Sequence, residues 1–144
     1  MYKDSFLKVK NEGINVTIHA GEGDGVHSIQ EALDNGAKRI GHGVRIIEDI
    51  SVDNKLGPTA DHILQNNIPL EVCITSNLHT NMYKNPQDHP ISRLHNLGFN
   101  ISLNTDNRLM SNTSIDNELN VAKAAGIEDP TSLLKYSASD SFLN

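Results

Sequence analysis

Tryptophan is absent and aromatic residues make up only 4% of the 144-residue chain, so burial falls to Ile, Leu, Val and Ala rather than to large rings. A single cysteine, Cys73, excludes an internal disulfide. Set in an apolar run, it reads as a reduced, buried, small core residue. Basic residues are few and scattered: 12 Lys and Arg stand against 18 Asp and Glu, a net charge of −6. A nucleic-acid surface needs a basic patch, so that class of partner is not expected. Residues 1–6 open without a long apolar stretch, so neither a signal peptide nor a membrane span is expected, and a cytoplasmic protein is the default. No low-complexity or Pro/Gly-rich linker divides the chain, and residues 1–144 read as one domain.

What the chain does have is a rhythm. Strand-like runs at Ile14–Ile18, Arg39–Val44, Pro69–Thr75 and Phe99–Leu103 alternate with helix-like segments. Val26–Ala37 carries Val26, Ile29, Ala32 and Leu33 on one stripe, with Gly36 near its end. Pro58 marks a helix start before Ala60, Ile63 and Leu64. His89–Leu97 places Ile91, Leu94 and Leu97 on one face and stops at Gly98. Ser114 is a good N-cap for a helix through Ala125 that ends at Gly126, and Asp129-Pro130 opens a last short helix towards Leu134 and Tyr136. Alternation of this kind predicts parallel βαβ units with right-handed crossovers. Four strands fall short of a complete (β/α)8 barrel, which needs roughly 250 residues. An open doubly wound sheet would fit the length, but the Gly-rich phosphate loop expected after its first strand is missing. The expected fold is therefore α/β, a partial barrel.

Three polar motifs sit where apolar strands run out: His19-Ala20-Gly21-Glu22, Gly41-His42-Gly43 and Asn104-Thr105-Asp106-Asn107. The strand C-termini are the edge at which α/β enzymes build their sites. On a continuous strand His19 and Glu22 would face opposite sides, but Ala20-Gly21 lets the chain turn so that both converge. That spacing suits a metal ligand followed by a proton shuttle. The glycines beside His42 remove bulk and let a ligand approach its imidazole. Asp106 can ligate a divalent metal, and Asn107 offers both a donor and an acceptor to a heterocycle. Taken singly, each motif also has a structural reading, as a core histidine, a glycine turn or a helix cap. His27, His62, His79, His89 and His95 show no ligand spacing and read as surface or structural residues, His79 being the most open because it follows a strand end.

Thr17-Ile18-His19-Ala20-Gly21-Glu22, Arg39-Ile40-Gly41-His42-Gly43, Cys73-Ile74-Thr75-Ser76-Asn77, His89-Pro90 and Ser102-Leu103-Asn104-Thr105-Asp106, in this order, resemble the adenosine deaminases of the amidohydrolase superfamily. The resemblance runs from about Val16 to the C-terminus and corresponds to barrel strands five to eight. It implies zinc as cofactor and hydrolysis of adenosine or 2'-deoxyadenosine to inosine or 2'-deoxyinosine, a step of purine salvage. It further implies that His19 is a zinc ligand and Glu22 the acid/base that protonates purine N1. His42 would orient and help deprotonate the attacking water, and Asp106 would be the last zinc ligand. The cysteine-ligated class of nucleobase deaminase is excluded by the lone cysteine.

Two departures from the family pattern stand out. Asn107 occupies the place of a second aspartate that must be protonated to donate to purine N7; an amide N–H2 donates without that requirement, so purine binding is expected to survive. Arg108 follows where a proline is frequent. More consequentially, the family's His-x-His zinc pair occurs nowhere in this sequence. His19 and Asp106 alone fall below the three protein ligands typical of catalytic zinc. The expectation is chemistry that belongs to a longer polypeptide, with a purine nucleoside as small-molecule partner. The alternatives are an inert half-barrel that self-associates through its open edges, and an adenine deaminase.

Overall fold

The computed structural model describes residues 2–134 and 142 of the chain. Helix α1 (Tyr2–Asn11) leads into β1 (Thr17–Ala20), α2 (Val26–Asp34) and β2 (Arg39–His42). A 3-10 segment, Val44–Asp49, precedes α3 (Pro58–Gln65), β3 (Leu70–Val72), α4 (Ile74–His79) and α5 (Ile91–Asn96). β4 (Ile101–Leu103), the short α6 (Arg108–Ser111) and α7 (Ile115–Ala124) follow, and a 3-10 turn covers Pro130–Leu134. Tyr136 lies outside the described residues. Among those residues no helix is long and apolar enough to cross a membrane.

The four strands pair in parallel in the order β1-β2-β3-β4. Chain order and spatial order coincide, as in successive βαβ units wound one way around a barrel. The expected α/β partial barrel is therefore observed. Register sorts the strands into two faces, because side chains alternate with period two. One row runs Ile18, Ile40, Leu70, Ile101 across the sheet and joins the core with Ile29, Ala32, Ile63, Leu94 and Ala122 from the helices. Ile40 and Leu70 are wholly buried, and full burial of each such side chain contributes about 1.5–3 kcal/mol. The other row runs His19, Gly41, Glu71, Ser102. One step below it, Arg39 pairs with Glu71 at 2.6 Å and donates from Nε to Thr17 Oγ1 at 3.2 Å. The inner face is thus polar, and the outer face holds the fold together.

Element boundaries depart from the sequence pattern at the strand ends. β1 begins and ends later than Ile14–Ile18, so His19 lies inside the strand. β3 stops at Val72, and residues from Ile74 wind into α4 instead of continuing the strand. The N-cap at Ser114 forms, its Oγ accepting from Asn117 N at 3.2 Å. Asp49 Oδ2 accepts from Thr59 N and Ala60 N, both at 2.9 Å, and thereby caps α3; nothing in the periodicity announced this. Helix α1 likewise carried no strong apolar stripe to foretell it.

Candidate active site

Three strand ends converge, and the backbone bends sharply at each. Gly21 (φ +67°), His42 (φ +59°) and Asp106 (φ +55°) all take the left-handed conformation. For His42 and Asp106 this costs on the order of 1–3 kcal/mol each, a strain characteristic of functional positions. Regular alternation would carry His42 to the face of Ile40. The left-handed turn breaks that alternation, and its imidazole lies 5.4 Å from that of His19, centroid to centroid. Gly41 makes room for this, since a Cβ there would come 3.1 Å from His19 Cγ and 3.2 Å from His19 Cα. The glycine therefore serves the His19 ring across the strand rather than its neighbour His42. At Gly21 a Cβ would strike Ile29 at 2.5 Å, so the turn that frees Glu22 demands glycine on two counts.

The result is a cluster. His19, His42 and Asp106 each present one potential ligand atom, all within 4.8 Å of one another. His42 Nε2 stands 3.4 Å from Glu22 Oε2 and 4.0 Å from Asp106 Oδ2. His42 is buried and Asp106 a third exposed, so the carboxylate forms the open side. Burial of His42 lowers its pKa; the charges of Glu22 and Asp106 pull the other way without prevailing. A cleft of about 160 Å³ opens over the cluster, lined by His19, Gly41, His42, Glu71, Cys73, Asn104 and Asp106. Burial there also raises the Cys73 thiol pKa well above its usual range, which keeps it protonated and inert.

All four residues expected at the metal and proton-transfer centre thus come together. Asn107 lies beside them at the start of α6, where its Oδ1 accepts from Leu109 N at 3.1 Å and Met110 N at 3.0 Å. The cap takes the oxygen and leaves the N–H2 as the group that can donate. Three supporting residues carried no role in the sequence reading. Ser76 Oγ donates to Asp106 Oδ2 at 2.8 Å. Asn77, fully buried, reaches both His42 and Glu22, and His89 is buried against Asn77. The signal available for these three was their place in Thr75-Ser76-Asn77 and His89-Pro90, because neither segment shows ligand spacing of its own.

Fold and cluster together define a barrel-type amidohydrolase with a histidine and carboxylate centre at the strand C-termini. The chain matches the adenosine deaminase family model over residues 1–141, and it belongs to that family. It is 48% identical over 120 residues to adenosine deaminase 1 of Streptomyces coelicolor, covering 80% of this chain and 30% of that protein. It is 45% identical over 121 residues to adenosine deaminase of Mycobacterium leprae, covering 81% and 33%. The chain thus spans about a third of the length of these relatives. Among solved structures, Arabidopsis ADAL complexed with IMP superposes with a TM-score of 0.70 at 25% identity, covering 89% of this chain and 36% of that one. A zinc-bearing amidohydrolase from Burkholderia ambifaria shares the fold, with a TM-score of 0.71 at 18% identity over 96% and 35%.

Proposed function

We propose that this chain furnishes part of the active site of a zinc-dependent aminohydrolase that converts adenosine or 2'-deoxyadenosine to inosine or 2'-deoxyinosine. The observation that carries this reading is the convergence of His19, His42 and Asp106 on one cleft from the ends of three strands, with Glu22 Oε2 3.4 Å from His42 Nε2. Imidazole with carboxylate is a donor set that suits zinc, and the spacing of the cluster fits a single ion. His19 and Asp106 would hold it. A zinc ion bound there supplies Lewis acidity that brings the ionisation of water to near-neutral pH.

The remaining roles belong to the chain. The reaction adds water at purine C6 and expels ammonia. Glu22 lies at the mouth of the turn after Gly21 and hands a proton to purine N1, which makes C6 electrophilic. His42, held neutral by burial, orients the attacking water beside Glu22 and Asp106. Asn107 donates its amide N–H to purine N7, with its oxygen already committed to the α6 cap. Two ligands are fewer than catalytic zinc requires. Turnover therefore calls for further donors from other strands of a barrel.

The test is zinc binding to the chain followed by equilibrium dialysis, together with ammonia release from adenosine and adenine measured in parallel on the barrel completed by the strands that supply the further donors. One zinc per chain, lost in His19→Ala and in Asp106→Ala, is the expected outcome. Full occupancy in either variant overturns the ligand assignment, and faster turnover of adenine than adenosine overturns the substrate.

A further inference from the structure

Behind the cluster runs a chain of hydrogen bonds with a fixed end. Ile91, the first residue of α5, follows a proline and donates its backbone N–H to His89 Nδ1 at 3.2 Å. A backbone amide can only donate, so His89 Nδ1 is bare and a neutral His89 carries its proton on Nε2. That nitrogen lies 3.2 Å from Asn77 Oδ1, to which it donates. The amide orientation of Asn77 is thereby settled: its oxygen faces His89 and its Nδ2 faces His42 Nδ1, 3.2 Å away. Nδ2 can only donate, so His42 Nδ1 is bare as well, and the neutral ring holds its proton on Nε2. The far end agrees independently. Asn77 Nδ2 also donates to Glu22 Oε1 at 3.4 Å, an oxygen that can only accept, and His42 Nε2 stands 3.4 Å from Glu22 Oε2, where an N–H is attracted to the carboxylate.

We propose that Asn77 and His89 are positioning residues that lock His42 as its Nε2–H tautomer, with Glu22 held between the amide of Asn77 and that N–H. The inference builds on the proposed function in taking Glu22 as the proton-transfer group and His42 as the ring that orients the attacking water, but its geometry does not depend on the substrate. It has a consequence for the cluster. A ring whose Nε2 bears a proton and whose Nδ1 accepts from Asn77 has no lone pair to offer an ion. The three potential donors therefore divide into two ligands, His19 and Asp106, and one proton-bearing imidazole. Burial supports the neutral state of the anchor, since it lowers the pKa of His89 to about 4. Packing fixes the rest: Asn77 and His89 are 0% and 3% exposed, which leaves little water to compete for their bonds.

The experiment is long-range 1H–15N correlation on the imidazole rings of the 15N-labelled, chelator-treated chain at pH 7.5, with the His42 signals assigned through His42→Gln. The expected result is a protonated Nε2 and a bare Nδ1 on both His42 and His89. Asn77→Asp is isosteric but replaces the donor with an acceptor, so the His42 proton should move to Nδ1. His89→Leu removes the donor that orients Asn77 and should leave His42 as a mixture of both tautomers. It also supplies the answer should Asn77→Asp fail to fold. A wild-type His42 protonated on Nδ1, or a His42 pattern unchanged in either folded variant, overturns the proposal. The expected pattern in a chain whose complete barrel, with the further zinc donors supplied, never deaminates adenosine would refute the function and leave the positioning role standing.

Discussion

Ser76 Oγ donates to Asp106 Oδ2 at 2.8 Å, tying the start of α4 to the turn after β4. The same oxygen faces His42 Nε2 at 4.0 Å. A hydroxyl on this oxygen fixes the rotamer of a carboxylate that is otherwise a third exposed and carried on a left-handed backbone.

Ser76→Ala should therefore weaken zinc binding by about 10–100-fold while leaving the fold intact, the usual effect of removing a group that orients a ligand. Titration with a competing chelator measures this. Unchanged affinity would show that Asp106 needs no such support.

Gly41→Ala places a methyl group 3.1–3.3 Å from the ring and Cα of His19, where one partner is backbone and cannot swing aside. The expected outcome is a loss of about 1–3 kcal/mol in stability, the cost of overpacking, together with weakened zinc binding as the His19 ring is displaced. Denaturant unfolding and zinc titration report the two effects separately. A stable variant that binds zinc normally would remove Gly41 from the site.

Glu22→Gln keeps the shape and hydrogen-bonding reach of the side chain but removes its proton chemistry. In the catalytically competent assembly, turnover should fall by about 10²–10⁴-fold while zinc stays bound. Retained activity would take Glu22 out of the proton-transfer role.

His89 sets a pH dependence of stability. Its pKa drops from the ordinary 6.5 to about 4 in the folded chain, because burial penalises the imidazolium. Between these values the unfolded chain binds the extra proton, so stability is full above pH 6.5 and declines as pH falls towards 4. From pH 7 to pH 5 this group alone should remove about 2 kcal/mol. Urea unfolding at both pH values, compared with His89→Gln, isolates the contribution; an equal pH dependence in the variant would contradict it.

Much of the architecture could be read in advance because it depends on short-range pattern. The alternation of strands and helices follows the pattern in order, and the glycines after three helices (φ +90° at Gly36, +88° at Gly98, +93° at Gly126) and the Ser114 cap are local signals that appear where the pattern put them. Strand ends were less legible. The apolar run through Cys73-Ile74-Thr75 looks like strand by composition, yet it turns into α4. There Thr75 N meets the buried Glu118 carboxylate at 3.2 Å, a partner 43 residues away. The candidate ligating and proton-transfer residues His19, Glu22, His42 and Asp106 also announced themselves, since few side chains can do that chemistry and they stood together at strand ends. Amides and hydroxyls did not, because Asn and Ser serve caps, turns and surfaces equally well.

The sequence by itself determined the order of strands and helices, the polar residues at each strand end and the glycines at the left-handed positions 21, 36, 98 and 126. These depend on propensity and on steric limits that act within a few residues. Only the tertiary structure decided that Gly41 serves His19 rather than His42, that Ser76 braces Asp106, and that Ile91, His89 and Asn77 together orient the imidazole of His42. Each of these relations joins atoms from different strands or loops, and the direction of a hydrogen bond exists only once both partners are held in place.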